Sequence, residues 1–397
     1  MNTSIAEQHQ SSVLARGNEH EEALSVAEPI LGREEKEALS DVIDSGWITM
    51  GDRVRAFEDA FARVHNAPES VAVSSCTAGL HLILQSLGIG PGDEVLVPSL
   101  TFVATVNCVL YVGADPVFVD IESLDKPLIS LADAGTKCSA RTRAIIVMHY
   151  AGYIADRDAW REFAAERNLF LIEDAAHAVG VDQVGTFGHA AAFSFYGNKN
   201  MTTAEGGIVT SPNRDVLERV RQMRNHGMTS GTFQRFSDRS VGYDVMMLGY
   251  NYRMDELRAA IGLTQLKKLA SWNEKRRSLT QRYMQYLKER CPNVEVPFTG
   301  LKDSSPAISS HHIMPVVLPK RSDRQKVIDI LRGVGIQTSN HYPAVHQLTF
   351  YRNRFSSVCL PQTEEYARRE LTLPLHPRMN ARDVERVVSS LSGALMH

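Results

Sequence analysis

The stretch FSFYGNKNMTTAEGG, residues 193–207, decides the chemistry and the fold class expected of this chain. It places Lys199 between an apolar, aromatic run typical of a β-strand and a polar turn that ends in two glycines. A lysine at the edge of a dry core has a lowered pKa, and its neutral amine can form a Schiff base with an aldehyde. Taken alone, Lys199 is better explained as a solvated surface lysine, so the interpretation depends on the neighbouring segments.

The segment LFLIEDAAHA, residues 169–178, adds two polar groups after an apolar run that predicts a buried strand. Pyridoxal phosphate (PLP) acts as an electron sink only while its pyridine nitrogen is protonated, and a neighbouring carboxylate keeps the proton there. Asp174 suits this role because it stands at the carboxyl end of the strand, although it would equally suit the N-cap of a following helix. His177 suits a hydrogen bond to the ring oxygen of the cofactor or a satisfied place in the core.

The segment VAVSSCTAGLHL, residues 71–82, has the pattern of a short strand, a turn of small residues and the start of a helix. Backbone N–H groups and the helix dipole at such a turn attract a phosphate. Thr77 and Ala78 would donate those amides. An ordinary strand-to-helix connection explains the segment equally simply, but the three segments together, in this order, predict a PLP site.

These segments resemble the DegT/DnrJ/StrS family of sugar aminotransferases, which are PLP enzymes of fold type I. The resemblance runs from about Glu28 to near the C-terminus. Four further stretches carry it: residues 45–58, 92–105, 249–254 and 341–346. Their combination is far more specific than any one of them.

The resemblance implies roles for the cofactor-binding residues. Lys199 is expected to carry PLP covalently as an internal aldimine and to move protons, Asp174 to pair with the pyridinium, and His177 to lie beside the ring. The remaining expected contacts are Phe102 stacking on the ring, Thr77, Ala78 and Ser194 holding the phosphate, and Asn251 reaching that phosphate from the neighbouring subunit. A homodimer with a shared active site follows from the last of these.

The substrate side is less defined by the same resemblance. His341 and Tyr342 lie in a loop expected to border the site, and His312 and Arg253 are further candidates for contact with the sugar or the amino donor. Each has a structural alternative, because loop histidines often only bind backbone groups and Arg253 could pair with Asp255 or with the other subunit.

Two positions depart from the pattern of many relatives. Cys76 and Ala204 stand where glycine is common, so the phosphate turn and the turn after the lysine are expected to be slightly reshaped. Lys199 is retained, which argues against the branch of the family that replaces this lysine with histidine and performs dehydration.

The alternation of helical and strand patterns predicts an α/β fold. A large PLP-binding domain, residues 28–265, is expected to have a mostly parallel central sheet flanked by helices. A smaller α+β C-terminal domain would follow at 266–397, and the polar residues 1–27 are expected to form a disordered tail. A long helical pattern from Asp255 to Tyr286 would link the two domains.

Composition excludes several classes of function. A net charge of -3 offers no basic field for nucleic acid or a membrane surface, and no apolar run approaches the roughly 18 residues of a membrane span. The polar N-terminus lacks the core of a secretion signal, so a cytoplasmic location is expected. The five cysteines have no spacing suited to a disulfide framework or a metal site, and reduced thiols are expected.

The reaction expected from the resemblance is transfer of an amino group from L-glutamate to a keto group of a nucleotide-linked hexose. An aminotransferase acting on a keto-cyclitol and a PLP lyase that forms an aromatic amine would keep the same cofactor residues. A PLP-binding regulator without turnover is a third alternative, which the pair of Asp174 and Lys199 argues against. A purely structural protein would need these groups to be accidental.

Overall fold

A seven-stranded sheet forms the centre of the computed structural model, which describes residues 23–230, 242–301 and 308–396. The strand order is β1-β7-β6-β5-β4-β2-β3, and every neighbouring pair is parallel except the two that involve β7. The strands are β1 (Ser70–Val73), β2 (Glu94–Pro98), β3 (Asp115–Val119), β4 (Thr142–Met148), β5 (Phe170–Asp174), β6 (Ala190–Ser194) and β7 (Gly207–Thr210). The predicted α/β fold with a mostly parallel sheet is therefore confirmed.

Helices cover both faces of this sheet, as a parallel sheet requires. The large part of the chain contributes α1 (Arg33–Ser45), α2 (Asp52–Val64), α3 (Cys76–Ser86), α4 (Val103–Tyr111), α5 (Leu131–Lys137), α6 (Arg157–Glu166) and α7 (Arg214–Met223). The strands are buried along nearly their whole length because helices pack on each side.

The aromatic run before Lys199 owes its place in the core to strand alternation. Phe193 and Phe195 point to one face, where their rings lie 4.9 and 5.3 Å from those of Phe61 and Phe57 on α2. Because successive side chains of a strand alternate, Ser194 between them points to the opposite side. The packing of α2 therefore fixes where the chain leaves β6 and enters the turn that carries Lys199.

One helix of 35 residues, α8 (Glu256–Arg290), connects the sheet to the C-terminal part. The side chain of Asp255 caps it by accepting a hydrogen bond from the Arg258 N–H at 2.9 Å. It packs against α1 and α2 near its start and against the last helix near its end. The predicted long helix is present, and the predicted domain boundary after residue 265 falls inside it.

The C-terminal part has its own small antiparallel sheet and its own core, as expected. Strands β8 (Met314–Val317) and β9 (Glu370–Leu373) pair, and the helices are α9 (Arg324–Gly333), α10 (Thr349–Arg354), α11 (Pro361–Arg369) and α12 (Ala381–Ala394). The apolar side chains of β8, β9, α9 and α12 form one cluster with the second half of α8, whereas Tyr351 of α10 packs in the core of the large part.

The beginning of the described chain belongs to this C-terminal core. Leu24 is buried and its N–H donates to the Gly335 carbonyl at 2.8 Å, and the Val26 carbonyl accepts from the Leu375 N–H. The predicted tail therefore ends before Leu24 instead of at residue 27. Residues 1–22 of that predicted tail lie outside the described residues.

Three predictions from composition and cysteine spacing can be compared with the described residues. All five cysteines are free, and none of the described helices is long and apolar enough to cross a membrane. No cluster of His, Cys, Asp or Glu in the described ranges has the arrangement of a metal site.

Candidate active site

The carboxyl edge of the sheet collects the polar groups that the sequence singled out. Asp174 and Ser194 end the neighbouring strands β5 and β6, and Lys199 follows five residues after Ser194. The amino end of α3 reaches the same edge, with Cys76 Sγ 4.0 Å from a carboxylate oxygen of Asp174. This is the position where open α/β sheets bind ligands.

Asp174 is held in a dry, defined orientation. Its Oδ2 accepts a hydrogen bond from the Thr105 hydroxyl at 2.6 Å and its Oδ1 from the Ala176 N–H at 3.1 Å. Burial raises its pKa, while these bonds and the Lys199 ammonium oppose the rise. The residues after Asp174 form turns, so the alternative that Asp174 caps a following helix is wrong.

The Lys199 amine is available for chemistry. Within the described residues its side chain donates no hydrogen bond and forms no ion pair. Burial lowers its pKa to about 8, against the opposing attraction of Asp174. Charge is disfavoured there because little water solvates the ammonium. About a tenth of the amine is therefore neutral at pH 7, far more than for an ordinary lysine.

Asn200, next to the lysine, anchors this turn to the C-terminal part. Its amide nitrogen donates to Asn273 Oδ1 and to the Ser310 carbonyl, both at 2.8 Å, and its oxygen lies 2.8 Å from His312 Nδ1. The lysine turn is thus fixed by bonds to residues more than 70 positions away. Sequence reasoning missed Asn200 because an asparagine beside a lysine has no distinctive pattern.

His177 has one satisfied and one free ring nitrogen. Its Nε2 lies 2.8 Å from the Tyr342 hydroxyl, and its buried Nδ1 has no partner. Burial and the nearby Lys199 ammonium hold the pKa of His177 well below its usual range, and burial raises that of Tyr342. The Tyr342 hydroxyl has no other partner among the described residues, so it donates to Nε2 and leaves the proton of His177 on Nδ1.

The first turn of α3 lies at the carboxyl edge of the sheet, where the sequence predicts the phosphate cradle. First-turn amides lack helical partners, but the Ala78 N–H donates to the side chain of the N-cap residue Ser75 at 3.1 Å. The Thr77 N–H would therefore be open to a phosphate. At Ala78 the phosphate would compete with the Ser75 hydroxyl for the N–H. A Cβ on Gly207 would lie 2.5 Å from the Cys76 nitrogen, so only glycine lets β7 approach this turn.

The thiol of Cys76 packs beside the cradle and is not a nucleophile. It is buried and donates to the Ala192 carbonyl at 3.4 Å. Burial and the Asp174 carboxylate raise its pKa well above the usual value. A thiol with a raised pKa carries little thiolate, so Cys76 is better suited to packing than to nucleophilic catalysis.

The three other predicted cofactor contacts differ in exposure. Phe102 precedes α4, is 56% exposed, and has its ring 6.1 Å from that of Tyr342. Ser194 is buried at the end of its strand, with its hydroxyl 3.4 Å from the Tyr196 N–H. Asn251 is exposed, and the Tyr252 carbonyl after it accepts from the Ser74 N–H near the cradle.

The four predicted substrate residues separate into two groups. The rings of His312, His341 and Tyr342 lie 4.2, 6.3 and 5.9 Å from that of His177, so these side chains surround it. Arg253 instead donates to Asn225 Oδ1 at 2.9 Å.

The alternative pairing of Arg253 with Asp255 is absent from the described residues. Asp255 caps α8 and its carboxylate lies 3.5 Å from Arg258.

The groups at this edge fit PLP. An unpaired amine of lowered pKa, a buried carboxylate and an unpaired, proton-bearing His177 Nδ1 are all present within one site. These are an aldehyde-reactive group, a partner for a ring nitrogen and a donor for a ring oxygen. The residues that would hold the cofactor are therefore Lys199, Asp174 and His177, with the cradle at Thr77 for the phosphate.

Comparison with known proteins agrees with this assignment. The profile of the DegT/DnrJ/EryC1/StrS aminotransferase family matches residues 29–392. The chain is similar to Helicobacter pylori PseC, an aminotransferase involved in the biosynthesis of pseudoaminic acid, with 27% identity and a TM-score of 0.87 over 94% of this chain and 100% of that one.

Two further solved structures are similar along nearly their whole length. Spr1654 from Streptococcus pneumoniae, which is described as a sugar aminotransferase, has been solved in a PMP form and in a PLP form. The PMP form has 26% identity and a TM-score of 0.86 over 94% of this chain and 99% of that one. DesI, solved in the presence of its TDP-sugar product, has 29% identity and a TM-score of 0.83 over 94% of both chains.

Proposed function

The chain belongs to the DegT/DnrJ/EryC1/StrS aminotransferase family and is a PLP-dependent sugar aminotransferase, and from this premise we propose that it moves an amino group from L-glutamate to a keto group of a nucleotide-linked deoxyhexose. The observation that carries the proposal is the unpaired Lys199 amine, of lowered pKa, beside Asp174 and His177. This arrangement has the base, the carboxylate and the hydrogen-bond donor that transamination needs.

When bound, PLP stabilises negative charge at the carbon that loses its proton. Lys199 is the group that takes and returns that proton, because its amine is neutral in a useful fraction near neutral pH. Burial on the carboxyl edge of the sheet keeps water from competing for the proton. The bonds of Asn200 hold the lysine turn in place during both halves of the reaction.

Asp174 and His177 hold the remaining protons of the site. The Asp174 carboxylate, fixed by Thr105 and the Ala176 N–H, would pair with the ring nitrogen of PLP and keep it protonated. The His177 Nδ1–H would donate to a ring oxygen of PLP, and the Tyr342 hydroxyl on the other nitrogen would keep that proton in place. Asp174 would therefore act through its carboxylate and His177 through Nδ1.

A nucleotide-linked substrate is supported by the relative that was solved with a TDP-sugar product. The assignment of L-glutamate rests on the family resemblance. The exposed side chain of Phe102 marks the side from which a larger substrate could reach the site.

The test follows the absorbance of the PLP-loaded protein after L-glutamate is added without any acceptor. We expect loss of the visible PLP band together with one equivalent of 2-oxoglutarate. Nucleotide-linked 4-keto and 3-keto deoxyhexoses should then restore the band, while free keto-cyclitols should not. Restoration by a cyclitol alone would contradict the nucleotide-sugar assignment, and a persistent band would contradict glutamate as the donor.

We further propose that the site is shared between the subunits of a homodimer. Asn251 is exposed, and so are the apolar side chains of Val245, Met246 and Leu248, at 54, 63 and 80%. An exposed apolar stretch of this kind is typical of a protein interface. Burial of the stretch against a second copy would bring Asn251 to the partner's cradle.

Mixed dimers test this sharing. Lys199→Ala and Asn251→Ala proteins are each weak or inactive alone, but a hybrid dimer has one intact site if Asn251 acts across the interface. Random pairing of equal amounts should restore about a quarter of the wild-type activity per subunit. Absence of any recovery, with hybrid dimers shown by differential tags, would place Asn251 in its own subunit's site.

A further inference from the structure

A buried carboxyl group lies behind the substrate side of the site. Glu370 begins β9, is fully buried, and has both oxygens bonded. One oxygen accepts the backbone N–H of His341 at 2.9 Å, and the other accepts the Thr372 hydroxyl at 2.5 Å. The Thr372 oxygen in turn lies 2.8 Å from Nδ1 of the His341 ring. A continuous chain of hydrogen bonds therefore joins the Glu370 carboxyl to the His341 imidazole.

The imidazole at the end of this chain faces the site. The His341 ring lies 6.3 Å from the ring of His177 and 5.0 Å from that of Tyr342. Its backbone is fixed by the Glu370 bond and by the Tyr150 hydroxyl on its carbonyl. Its Nε2 has no hydrogen-bond partner among the described residues. That nitrogen is the one free polar atom of this side chain.

The single proton of the Thr372 hydroxyl decides which nitrogen of His341 carries a proton. When Glu370 is ionised, Thr372 donates to it, so Thr372 accepts from His341 Nδ1–H and Nε2 presents a lone pair. When Glu370 carries a proton, it donates to Thr372, Thr372 donates to Nδ1, and Nε2 carries the hydrogen. The bond from the His341 backbone N–H is compatible with both arrangements.

We propose that Glu370 is a positioning residue that sets the tautomer of His341 through Thr372, and that its neutral form presents His341 Nε2–H to an acceptor oxygen of the substrate. This inference rests on the proposed function, since the substrate groups that offer such an oxygen are the keto group of the sugar and the carboxylate of the amino donor. Neither Glu370 nor Thr372 touches the substrate in this arrangement.

The electrostatic surroundings favour the neutral form at neutral pH. Burial raises the pKa of Glu370 to about 8, while its bonds to Thr372 and the His341 N–H and the guanidinium of Arg324 on α9 oppose the rise. The other titratable groups that face it are the phenols of Tyr150, Tyr366 and Tyr342, which burial keeps neutral.

His341 itself stays uncharged over the relevant range. Burial, with the Lys199 ammonium nearby, lowers its pKa to about 4. Its two neutral tautomers are therefore the states that Glu370 selects between.

Nitrogen NMR of histidine-labelled protein tests the chain of bonds without any substrate. The His341 signals are identified by their loss in His341→Gln. In the wild type we expect the Nε2–H tautomer at about pH 6.5 and the Nδ1–H tautomer at about pH 9.5, on either side of the Glu370 transition. Glu370→Gln should hold the Nε2–H tautomer throughout, because its amide donates to Thr372 while its oxygen accepts the His341 N–H.

Variants of Thr372 separate the hydrogen-bond chain from simple packing. Thr372→Val keeps the shape and removes the hydroxyl, so the tautomer should lose its dependence on the Glu370 transition. Thr372→Ser restores the hydroxyl and should restore the wild-type behaviour. The proposal would be overturned if Glu370→Gln or Thr372→Val showed the same pH-dependent change of the His341 tautomer as the wild type. It would also be overturned if the wild type kept one tautomer at every pH.

The two half-reactions identify the oxygen that His341 binds. In the half-reaction that uses His341 Nε2–H, wild-type kcat/KM should fall about tenfold between about pH 7 and about pH 9.5, and Glu370→Gln should remove that fall. Lys199 titrates in the same range, so the difference between the two proteins is the diagnostic quantity. An identical pH profile of both proteins in both half-reactions would overturn the substrate role while leaving the aminotransferase assignment intact.

Discussion

The two sides of the site differ in how their polar side chains are paired. On the sheet side, the Lys199 amine and His177 Nδ1 have no partner among the described residues. On the C-terminal side, Tyr342 and His312 are bonded to His177 and Asn200, and His341 is bonded to Thr372 and keeps only Nε2 free within the described residues. Unpaired groups are free to react, whereas paired groups hold others in position. The sheet side therefore performs the chemistry and the C-terminal side orients what takes part in it.

Replacement of the reactive amine is expected to have the largest effect. Lys199→Ala should lower the rate of the glutamate half-reaction by at least about 10³-fold, because it removes the amine assigned to move the proton. It should also abolish borohydride-reducible attachment of PLP. Lys267→Ala, which removes an exposed lysine, is the control. Attachment that persists at another lysine would place the chemistry elsewhere.

Removal of the buried Asp174 carboxylate is expected to have the second largest effect on the rate. Asp174→Asn should slow the half-reaction by about 10² to 10³-fold, because an amide does not stabilise a protonated ring nitrogen. Thermal unfolding should change little, since burial already disfavours the charge of Asp174. Asp182→Asn alters a nearby exposed carboxylate and serves as the control. A half-reaction rate equal to that of the wild type would show that Asp174 has no role in the chemistry.

The lowered pKa of Lys199 gives a pH-dependent prediction. Burial disfavours the ammonium, so the neutral amine is reached at about pH 8 instead of at the usual value, about 10.4. Near pH 7 the apoprotein should be reductively methylated at Lys199 about 10²-fold faster than at Lys267, after allowance for access. Peptide mass spectrometry over a pH series gives both rates. If the methylation rate of Lys199 kept rising to about pH 10, Lys199 would titrate like an ordinary lysine. The sheet side would then hold no unusually reactive amine.

A change on the C-terminal side should have a moderate effect. Tyr342→Phe removes the hydroxyl that fixes the His177 tautomer, and we expect the half-reaction to slow about tenfold. Tyr286→Phe, under Arg290 on the far half of α8, is the matched control. An effect as large as that of Asp174→Asn would mean that Tyr342 itself takes part in the chemistry.

The smallest expected effect concerns the turn after the lysine. Ala204 has a φ of 67°, a conformation that favours glycine. Ala204→Gly should raise the free energy of unfolding by up to about 1 kcal/mol. Ala270→Gly, in the exposed middle of α8, should lower it by about as much. Denaturant titration of both variants measures the difference, and destabilisation by Ala204→Gly would refute the strain.

The sheet side could be predicted from the sequence because its signals are local. Asp174 ends an apolar strand, and Lys199 lies in the turn that follows the next strand of the sheet. The capping of Ala78 by Ser75 also has a local signal, a serine three residues before the amide, which the prediction did not use. Pro361 at the first position of α11 was a second unused signal.

The C-terminal side could not be predicted because its bonds join distant residues. His177 and Tyr342 are 165 positions apart, and Asn200 and His312 are 112 apart. No pattern in the sequence pairs such residues, since side-chain contacts at this separation depend on how complete elements pack. Glu370 lies in a short strand with no feature that marks its carboxyl group as buried.

The continuous helix α8 limits how this protein can be recombined with its relatives. Its 35 residues support α1 and α2 at one end and α12 at the other, so a junction at residue 265 would cut through the element that both parts share. A chimera with a foreign C-terminal part should fold when the junction lies before Asp255, the N-cap residue of α8. Specificity would then be exchanged as one unit that includes the whole helix and the loop carrying His341.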